Sequence, residues 1–299
     1  MFLNSRSEPT ELVKLRFLNA RMMLGPKEKR YYLNLEIGYQ GEVMFDQFTQ
    51  KLQNDFYIIN DLRLESNNAE FQIDTLIIAQ ETIYPFEVKN HEGDYYYEAG
   101  NFFSMSTEDE IKNPLDQLKR SKSLLCPLLK KMGNKIPVEG FVTFVNPVFT
   151  LYQAPLHAPI IYPSQLKSFM KKIDQIPSKL NSRHKWLADQ LLSLHLKESR
   201  YALKPAYYYE KGIICPRCYS FMISVGNKKL VCHKCGCEES VDSGVLRCVM
   251  EHEILFPDRK ITTNGIHEWC GGIVSTKVIR RILLQNLASI GTRQHRYFE

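Results

Sequence analysis

In the stretch FQIDTLIIAQETIYPFEVKN, residues 71–90, two carboxylates and an ammonium (Asp74, Glu87 and Lys89) interrupt residues that otherwise suit a buried β-hairpin. With Gln80 and Glu81 as the turn, Asp74 lies opposite Glu87 and Gln72 opposite Lys89, and all four share one face. Directly opposed Cβ atoms are about 4.5–5.5 Å apart, and positions two apart in a strand about 6.7 Å. Two opposed carboxylates in a partly buried sheet repel each other and call for a cation. Mg²⁺ or Mn²⁺ suits them, because Mg²⁺ takes oxygen ligands and is usually held by one or two carboxylates together with substrate phosphate. Lys89, a compact charge beside that ion, could orient an attacking water or stabilise charge on a pentavalent phosphate. The same three charges would also satisfy one another as an ion pair at a sheet rim. Pro85 lacks an N–H and therefore demands a sheet edge or a local irregularity. Gln-Glu is not a favoured two-residue turn.

A second set of ligands is spaced for a different metal. Cys215, Cys218, Cys232 and Cys235 form two C-x2-C pairs thirteen residues apart, whereas Cys126, Cys237, Cys248 and Cys270 are scattered. In a reducing compartment this spacing favours metal over disulfides. It resembles a zinc ribbon, in which four thiolates hold one structural Zn²⁺ in a tetrahedron, with Cys237 as an alternative fourth ligand. A closed site of this kind adds folding energy rather than chemistry. Its surface, with Lys211, Arg217, Lys228 and Lys229, would contact nucleic acid or brace neighbouring parts of the chain. For Cys126, Cys248 and Cys270 a buried free thiol is the default.

The elements that must hold these residues follow from periodicity and punctuation. Apolar positions from Glu11 to Leu24 follow a helical period that Gly25 and Pro26 end. A further helix is expected after LEIGYQGE, with Gly41, Phe45, Phe48 and Leu52 facing inward and the glycine permitting close backbone approach. FYIINDLRL and VEGFVTFVNPVF read as strands, NPLDQLKRSKSLLCPLLKKM as a helix closed by Gly133, and residues 163–203 as helical, punctuated by Pro163 and Pro177. Strands alternating with helices give an α/β class. The segments expected are an N-terminal helical stretch (1–34), an α/β domain (35–150), a helical extension (151–204), a zinc ribbon (205–258) and a basic helical module (259–299), with a boundary near Lys204.

GYQGE (38–42), FQIDTLII, PFEVKNHEGDY and NPLDQLKR together resemble the nuclease-related domain, NERD, of the PD-(D/E)xK restriction-endonuclease-like superfamily, over roughly residues 35–150. The resemblance implies a mixed central sheet flanked by helices. It implies Asp74 and Glu87 as Mg²⁺ ligands, Lys89 as the catalytic lysine and Glu42 as a further acid. Gln117, on the helix that follows, and Gln72 are implied as supporting or phosphate-contacting residues; Gln117 reads equally well as a solvent-facing helix residue. His91 reads as a rim histidine. The implied reaction is hydrolysis of a phosphodiester by water, with DNA the favoured substrate.

The chain has 299 residues, 44% hydrophobic content and a net charge of +6, enough for one large domain with smaller ones. The excess is concentrated: from Arg259 to Glu299 there are seven Lys/Arg against two acids. Such clustering suits a polyanionic partner, although a solvated basic helix has the same composition. ITTNGIHEWCGGIVSTKVIRRILLQNLASIGTRQHRYF reads as a short helix capped by Thr262 or Thr263, a Gly271–Gly272 break and a longer helix capped by Ser275, resembling a helix-turn-helix. Val278, Ile279, Ile282 and Leu283 would face inward, and Lys277, Arg280 and Arg281, followed by Arg293 and Arg296, would meet DNA. No apolar run long enough to span a bilayer and no basic-apolar leader is visible, so the chain reads as cytoplasmic without membrane association. No G-x4-G-K-[ST] motif is present, so strand separation and ATP use are not expected of this chain; a protein partner such as a helicase is a separate expectation. The rival readings are a catalytically idle nucleic-acid-binding regulator and a zinc-ribbon adaptor.

Overall fold

The strands expected on either side of Gln80–Glu81 form, and they sit inside a five-stranded sheet of the computed structural model. The structure describes residues 1–196, 209–225, 228–292 and 295–299. Two units result, Met1–Glu8 with Asn34–Arg200, and Pro9–Leu33 with Tyr201–Glu299. The boundary expected near Lys204 lies outside the described residues. In chain order the elements are α1 (Thr10–Arg21), α2 (Pro26–Thr49), β1 (Tyr57–Ser66), β2 (Ala69–Ile78), β3 (Ile83–Lys89), β4 (Gly93–Glu98), β5 (Asn101–Ser104), β6 (Glu110–Ile111), α3 (Pro114–Lys131), β7 (Phe141–Phe144), β8 (Phe149–Tyr152), β9 (Ile160–Ile161), α4 (Pro163–Gln175) and α5 (Ser182–Ser193). There follow β10 (Ile223–Val225), β11 (Lys229–Val231), β12 (Glu238–Ser240), α6 (Val241–Leu255), α7 (Thr263–Trp269), α8 (Thr276–Asn286), β13 (Ser289–Ile290) and β14 (Tyr297–Phe298).

The first unit is a mixed α/β domain. Its main sheet has the order β1-β2-β3-β7-β9, antiparallel through β1, β2 and β3 and parallel from β3 through β7 to β9. One face buries Ile58, Ile77, Phe86 and Val88 with Phe45 of α2 and Leu166, Met170 and Ile173 of α4. The other buries Leu62, Ile73, Leu76 and Ile83 with Leu125 and Leu129 of α3 and Leu187 and Leu191 of α5. A second sheet, β6-β5-β4-β8, builds a smaller core of Phe102, Leu118, Phe144 and Phe149. VEGFVTFVNPVF is therefore not one strand: Asn146 and Pro147 break it, and its halves join different sheets as β7 and β8.

Two local features were called for by the sequence and found. The hairpin turn is closed by the Ala79 N–H donating to Thr82 O (3.0 Å), and Ile78 pairs with Ile83, the register that a Gln80–Glu81 turn dictates. Pro85 sits in a central strand, but its missing donor falls in a gap of the β3–β7 pairing, between Ile83↔Val138 and Phe86↔Phe141. One expectation fails. The second helix does not follow LEIGYQGE but contains it, starting at Pro26, a residue whose fixed φ suits a first helical position.

In the second unit, β10, β11 and β12 form a small antiparallel sheet beside the cysteine pairs. Arg21, at the end of α1, is fully buried there: its Nε and Nη2 donate to Glu251 of α6 (2.6 and 2.7 Å), and its guanidinium lies 4.0 Å from the centre of the Trp269 ring. Burial this complete needs the pairing, since an unpaired buried charge is prohibitive.

Candidate active site and metal centre

The charged cluster forms where β1 and β2 lose their regularity. Asn60 pairs with Thr75 and Leu62 with Ile73, but Asp61 and Asp74 between them are not paired, and Asp61 has φ +49°. Asp tolerates this left-handed conformation better than most residues. Residues three apart in a regular strand face opposite sides, yet Ile59 and Leu62, and likewise Ile73 and Leu76, join the same core. The break turns both strands over at the two aspartates.

Strand β3 completes the cluster from the other side. Its ladder with β2 ends at Thr75↔Phe86, and two residues further along β3 the Val88 N–H donates to Asp74 Oδ2 (2.7 Å) instead of to a backbone carbonyl. Phe86 and Val88 enter the core beside α2 and α4, so the alternating Glu87 and Lys89 take the opposite face. Lys89 Nζ donates to Glu87 Oε1 (2.7 Å). On α2, Gly41 brings Glu42 close: a Cβ built on it would lie 2.5 Å from Asn90 Cβ. Asn90 Nδ2 also donates to Ile37 O of the same helix (2.9 Å).

Sequence reasoning missed the cation that ties these elements together. Arg6, from the segment preceding α1, has a side chain only 3% exposed; it pairs with Glu42, donates twice to the Asp46 carboxylate (2.8 and 3.0 Å) and donates to Asp74 O and Thr75 Oγ1 (3.0 Å each). No motif announces it, because a lone arginine ahead of the first helix carries no spacing signal. Asp61 was missed too; the conformation that singles it out is invisible in one sequence.

The electrostatics show an excess of negative charge. Burial, then the neighbouring Glu87, pushes the Asp74 carboxyl up to about 7, against the opposing pull of Lys89, the Val88 N–H and Arg6. Burial, then Asp74, pushes Glu42 up to about 9 despite Arg6. Burial works against the Lys89 ammonium, but Glu87, Asp74 and Glu42 outweigh it, and its pKa stands above the ordinary lysine value. Lys89 is thus a fixed cation rather than a base. His91, pushed down to about 4 by burial and by Lys89, is neutral and stacks on Tyr95 (centroids 5.3 Å apart).

The two glutamines stand apart from this set. Gln72 Nε2 donates to Asp61 Oδ1 (2.8 Å), so the break in β2 removes it from the row with Asp74, Glu87 and Lys89 that a regular hairpin would make. Gln117 on α3 is half-buried; Ser121 Oγ donates to its carbonyl (3.0 Å) and also reaches that of Gln72 (3.4 Å). No hydrogen bond recorded among the described residues joins either amide side chain to Asp74 or Glu87. Asn113 serves as the N-cap of α3, accepting from Leu115 N (2.9 Å).

Residues 37–145 match the family model of NERD, the nuclease-related domain. The chain carries a NERD domain. Its limits enclose Glu42, Asp61, Asp74, Glu87 and Lys89, and exclude Arg6. No curated protein and no solved structure matches the chain. The nuclease-like fold follows from the domain together with the mixed sheet and its flanking helices.

The thiols of Cys215, Cys218, Cys232 and Cys235 all lie within 4.8 Å of one another. Cys215 Sγ is 3.6 Å from Cys235 Sγ and Cys218 Sγ is 3.4 Å from Cys232 Sγ. Tetrahedral Zn²⁺ with Zn–S bonds of about 2.3 Å puts its sulfurs about 3.8 Å apart, so the cluster fits a small zinc ribbon. Cys237 is outside this set. Among the described residues no other group of three or more acidic, histidine or cysteine side chains is gathered so tightly.

The basic tail keeps its expected caps: Thr262 accepts from Gly265 N (3.0 Å) and Ser275 from Val278 N (3.4 Å). Ile279, Ile282 and Leu283 are buried, Val278 is half-buried, and Lys277, Arg280 and Arg281 are exposed. Arg281 donates to Asp242 Oδ1 (2.6 Å) and is partly neutralised. Arg296 is half-buried, with no hydrogen-bond partner for Nε among the described residues, and Arg293 lies outside them. No helix among the described residues is long and apolar enough to cross a membrane.

Proposed function

We propose that the NERD domain hydrolyses phosphodiester bonds, most readily in DNA, with Mg²⁺ or Mn²⁺ held by Asp74 and Glu87. The observation that carries this reading is the juxtaposition of those carboxylates, undercompensated by Lys89 and Arg6, at the point where β1, β2 and β3 part. The donors are hard oxygens, and two carboxylates leave coordination positions for water and phosphate, as Mg²⁺ requires. Such an ion supplies Lewis-acid polarisation of a phosphoryl oxygen and a more acidic water.

The chain's own groups have separable parts. Val88 N–H fixes one oxygen of Asp74 and leaves the other free to bind. Lys89, held by Glu87, presents a permanent positive charge toward a phosphate whose oxygens gain charge as water adds to phosphorus. The P–O bond to one sugar breaks as the new one forms, giving a phosphomonoester and a hydroxyl. Arg6 holds Glu42 in place, while burial and then Asp74 raise the Glu42 carboxyl above the ordinary carboxylate range.

The test is cleavage of plasmid, linear duplex, single-stranded DNA and RNA with Mg²⁺ or Mn²⁺, comparing the native chain with Asp74→Ala and Lys89→Ala. Cleavage abolished in both variants supports the reading and names the substrate. Tight binding without cleavage by the native chain turns it toward a binding protein.

A further inference from the structure

The last part of the second unit is more than a helix pair. α6 is followed by a single extended residue, Ile261, then by α7, α8 and the ribbon β13–β14. Ile261 bridges Phe298 in antiparallel fashion while Phe298 pairs with Ser289 on its other side. Phe298 N donates to Ile261 O (2.9 Å). Helix, strand, helix, helix and hairpin, with the first strand added to the last, is the order of a winged helix. α6, α7 and α8 pack on one another, and Val245, Val249, Ile266, Ile279, Ile282 and Phe298 are buried in the module. The turn between α7 and α8 is pinned by His267 Nδ1 donating to Val274 O (2.9 Å).

We infer that this module reads B-form duplex DNA by laying α8 in the major groove. The sequence of α8, TKVIRRILLQN, holds three cations and no acid. Arg280, Arg281 and Leu284 lie three, four and seven positions after Lys277, which places all four on one stripe. All four are exposed and lie away from buried Ile279, Ile282 and Leu283. Lys277 and Arg280 form no recorded hydrogen bond or ion pair with the described residues, so both charges are available. Arg281 is anchored by Asp242 and Gln285, which fixes its guanidinium beside them. Lys260, with Nζ 4.1 Å from the Tyr297 ring centre, sets a further cation against the hairpin.

Charge and shape select the partner. Duplex DNA presents one phosphate per about 1.7 Å of axis, which the two available cations Lys277 and Arg280, beside an Arg281 held by Asp242, complement. An α-helix fits the major groove of B-DNA, about 12 Å wide, but not the deep narrow groove of A-form RNA. The inference is independent of the catalytic reading, because binding needs neither Asp74 nor Mg²⁺.

The experiment is fluorescence anisotropy with the full-length, zinc-loaded chain in Mg²⁺-free buffer. The probes are a short labelled DNA duplex and an RNA duplex of the same sequence, measured over a range of salt. The chain should prefer the DNA duplex. Lys277→Ala combined with Arg280→Ala should weaken binding about tenfold or more and flatten the slope of log K against log salt by about 2. Methyl green, a major-groove ligand, should displace the chain, and netropsin, a minor-groove ligand, should not. Circular dichroism and zinc content equal to those of the native chain will show that the variant is folded. An unchanged salt slope, equal affinity for the RNA duplex, or displacement by netropsin alone would overturn the inference.

Discussion

Replacing Asp74 by Asn should stabilise the metal-free protein, and more so at high pH. The folded chain holds the Asp74 proton up to about 7, against an ordinary value of 3.8. The folded state therefore binds this proton more tightly than the unfolded chain, and stability present at low pH is lost as pH rises from about 4 through about 7. At ~1.4 kcal/mol per pH unit, ionising the group costs up to about 4 kcal/mol by pH 8. Relaxation and proton sharing with Glu42 reduce the expected gain to about 2 kcal/mol at pH 8 and to under about 1 kcal/mol at pH 5. Asn keeps an oxygen for the Val88 N–H, so the substitution removes charge without removing the acceptor. The assay is urea unfolding of the zinc-loaded chain in Mg²⁺-free buffer, with hydrogen-exchange peptides from β2 and β3 as reporters. Added Mg²⁺ should then stabilise the native chain at pH 8 and leave the variant unmoved. A variant no more stable than the native chain at either pH would mean that Lys89 and Arg6 already compensate Asp74, and the argument for a bound cation would fall.

Three other outcomes are expected. Metal analysis of protein purified without chelator should find one equivalent of zinc, and Cys232→Ser should lose it together with the thermal transition of the second unit. Gly41→Ala should cost about 1–3 kcal/mol, because its Cβ would meet Asn90, and should weaken Mg²⁺ binding by calorimetry; Gly38→Ala on the same helix meets nothing and should gain about 0.5–1 kcal/mol. Arg21→Ala leaves Glu251 buried without its partner and should cost about 3–5 kcal/mol, read as a lower melting temperature.

What the sequence disclosed was local. The hairpin register followed from the position of Gln80 and Glu81, the cysteine cluster from its spacing, and the caps of α7 and α8 from Thr262 and Ser275. Features set by distant or solvent-exposed residues did not show. The first half of α2 has no clean apolar stripe, since Tyr31, Leu33 and Ile37 are exposed, so periodicity gave no warning that the helix begins at Pro26. GDYYYEAGNFFSMS forms β4 and β5, whose many aromatics pair across strands, as Tyr96 does with Phe103 at 5.1 Å. The ribbon after α8 is only two residues deep on each side, too short for alternation to reveal. The site's break at Asp61 and Asp74 is legible only once the strands are paired, because it shows as a change of core face and not as a change of residue type.

The main sheet is unevenly assembled along the chain. β1, β2 and β3 form a continuous meander within residues 57–89, whereas β3 waits for β7 and β9, which lie beyond residue 140. Loop closure makes the near-neighbour pairing fast and the crossover pairing slow. Asp74 and Glu87 are therefore driven together by the earliest strands to associate, before the parallel half exists to reward the encounter. Burial of the Asp74 charge, and then its repulsion by Glu87, weigh on the barrier as well as on the native state, so raising the pH from about 4 toward about 7 should slow refolding more than it accelerates unfolding, and Mg²⁺ should restore the refolding rate in stopped-flow experiments. A site arranged for binding an ion would in this way also govern how quickly the domain around it is made.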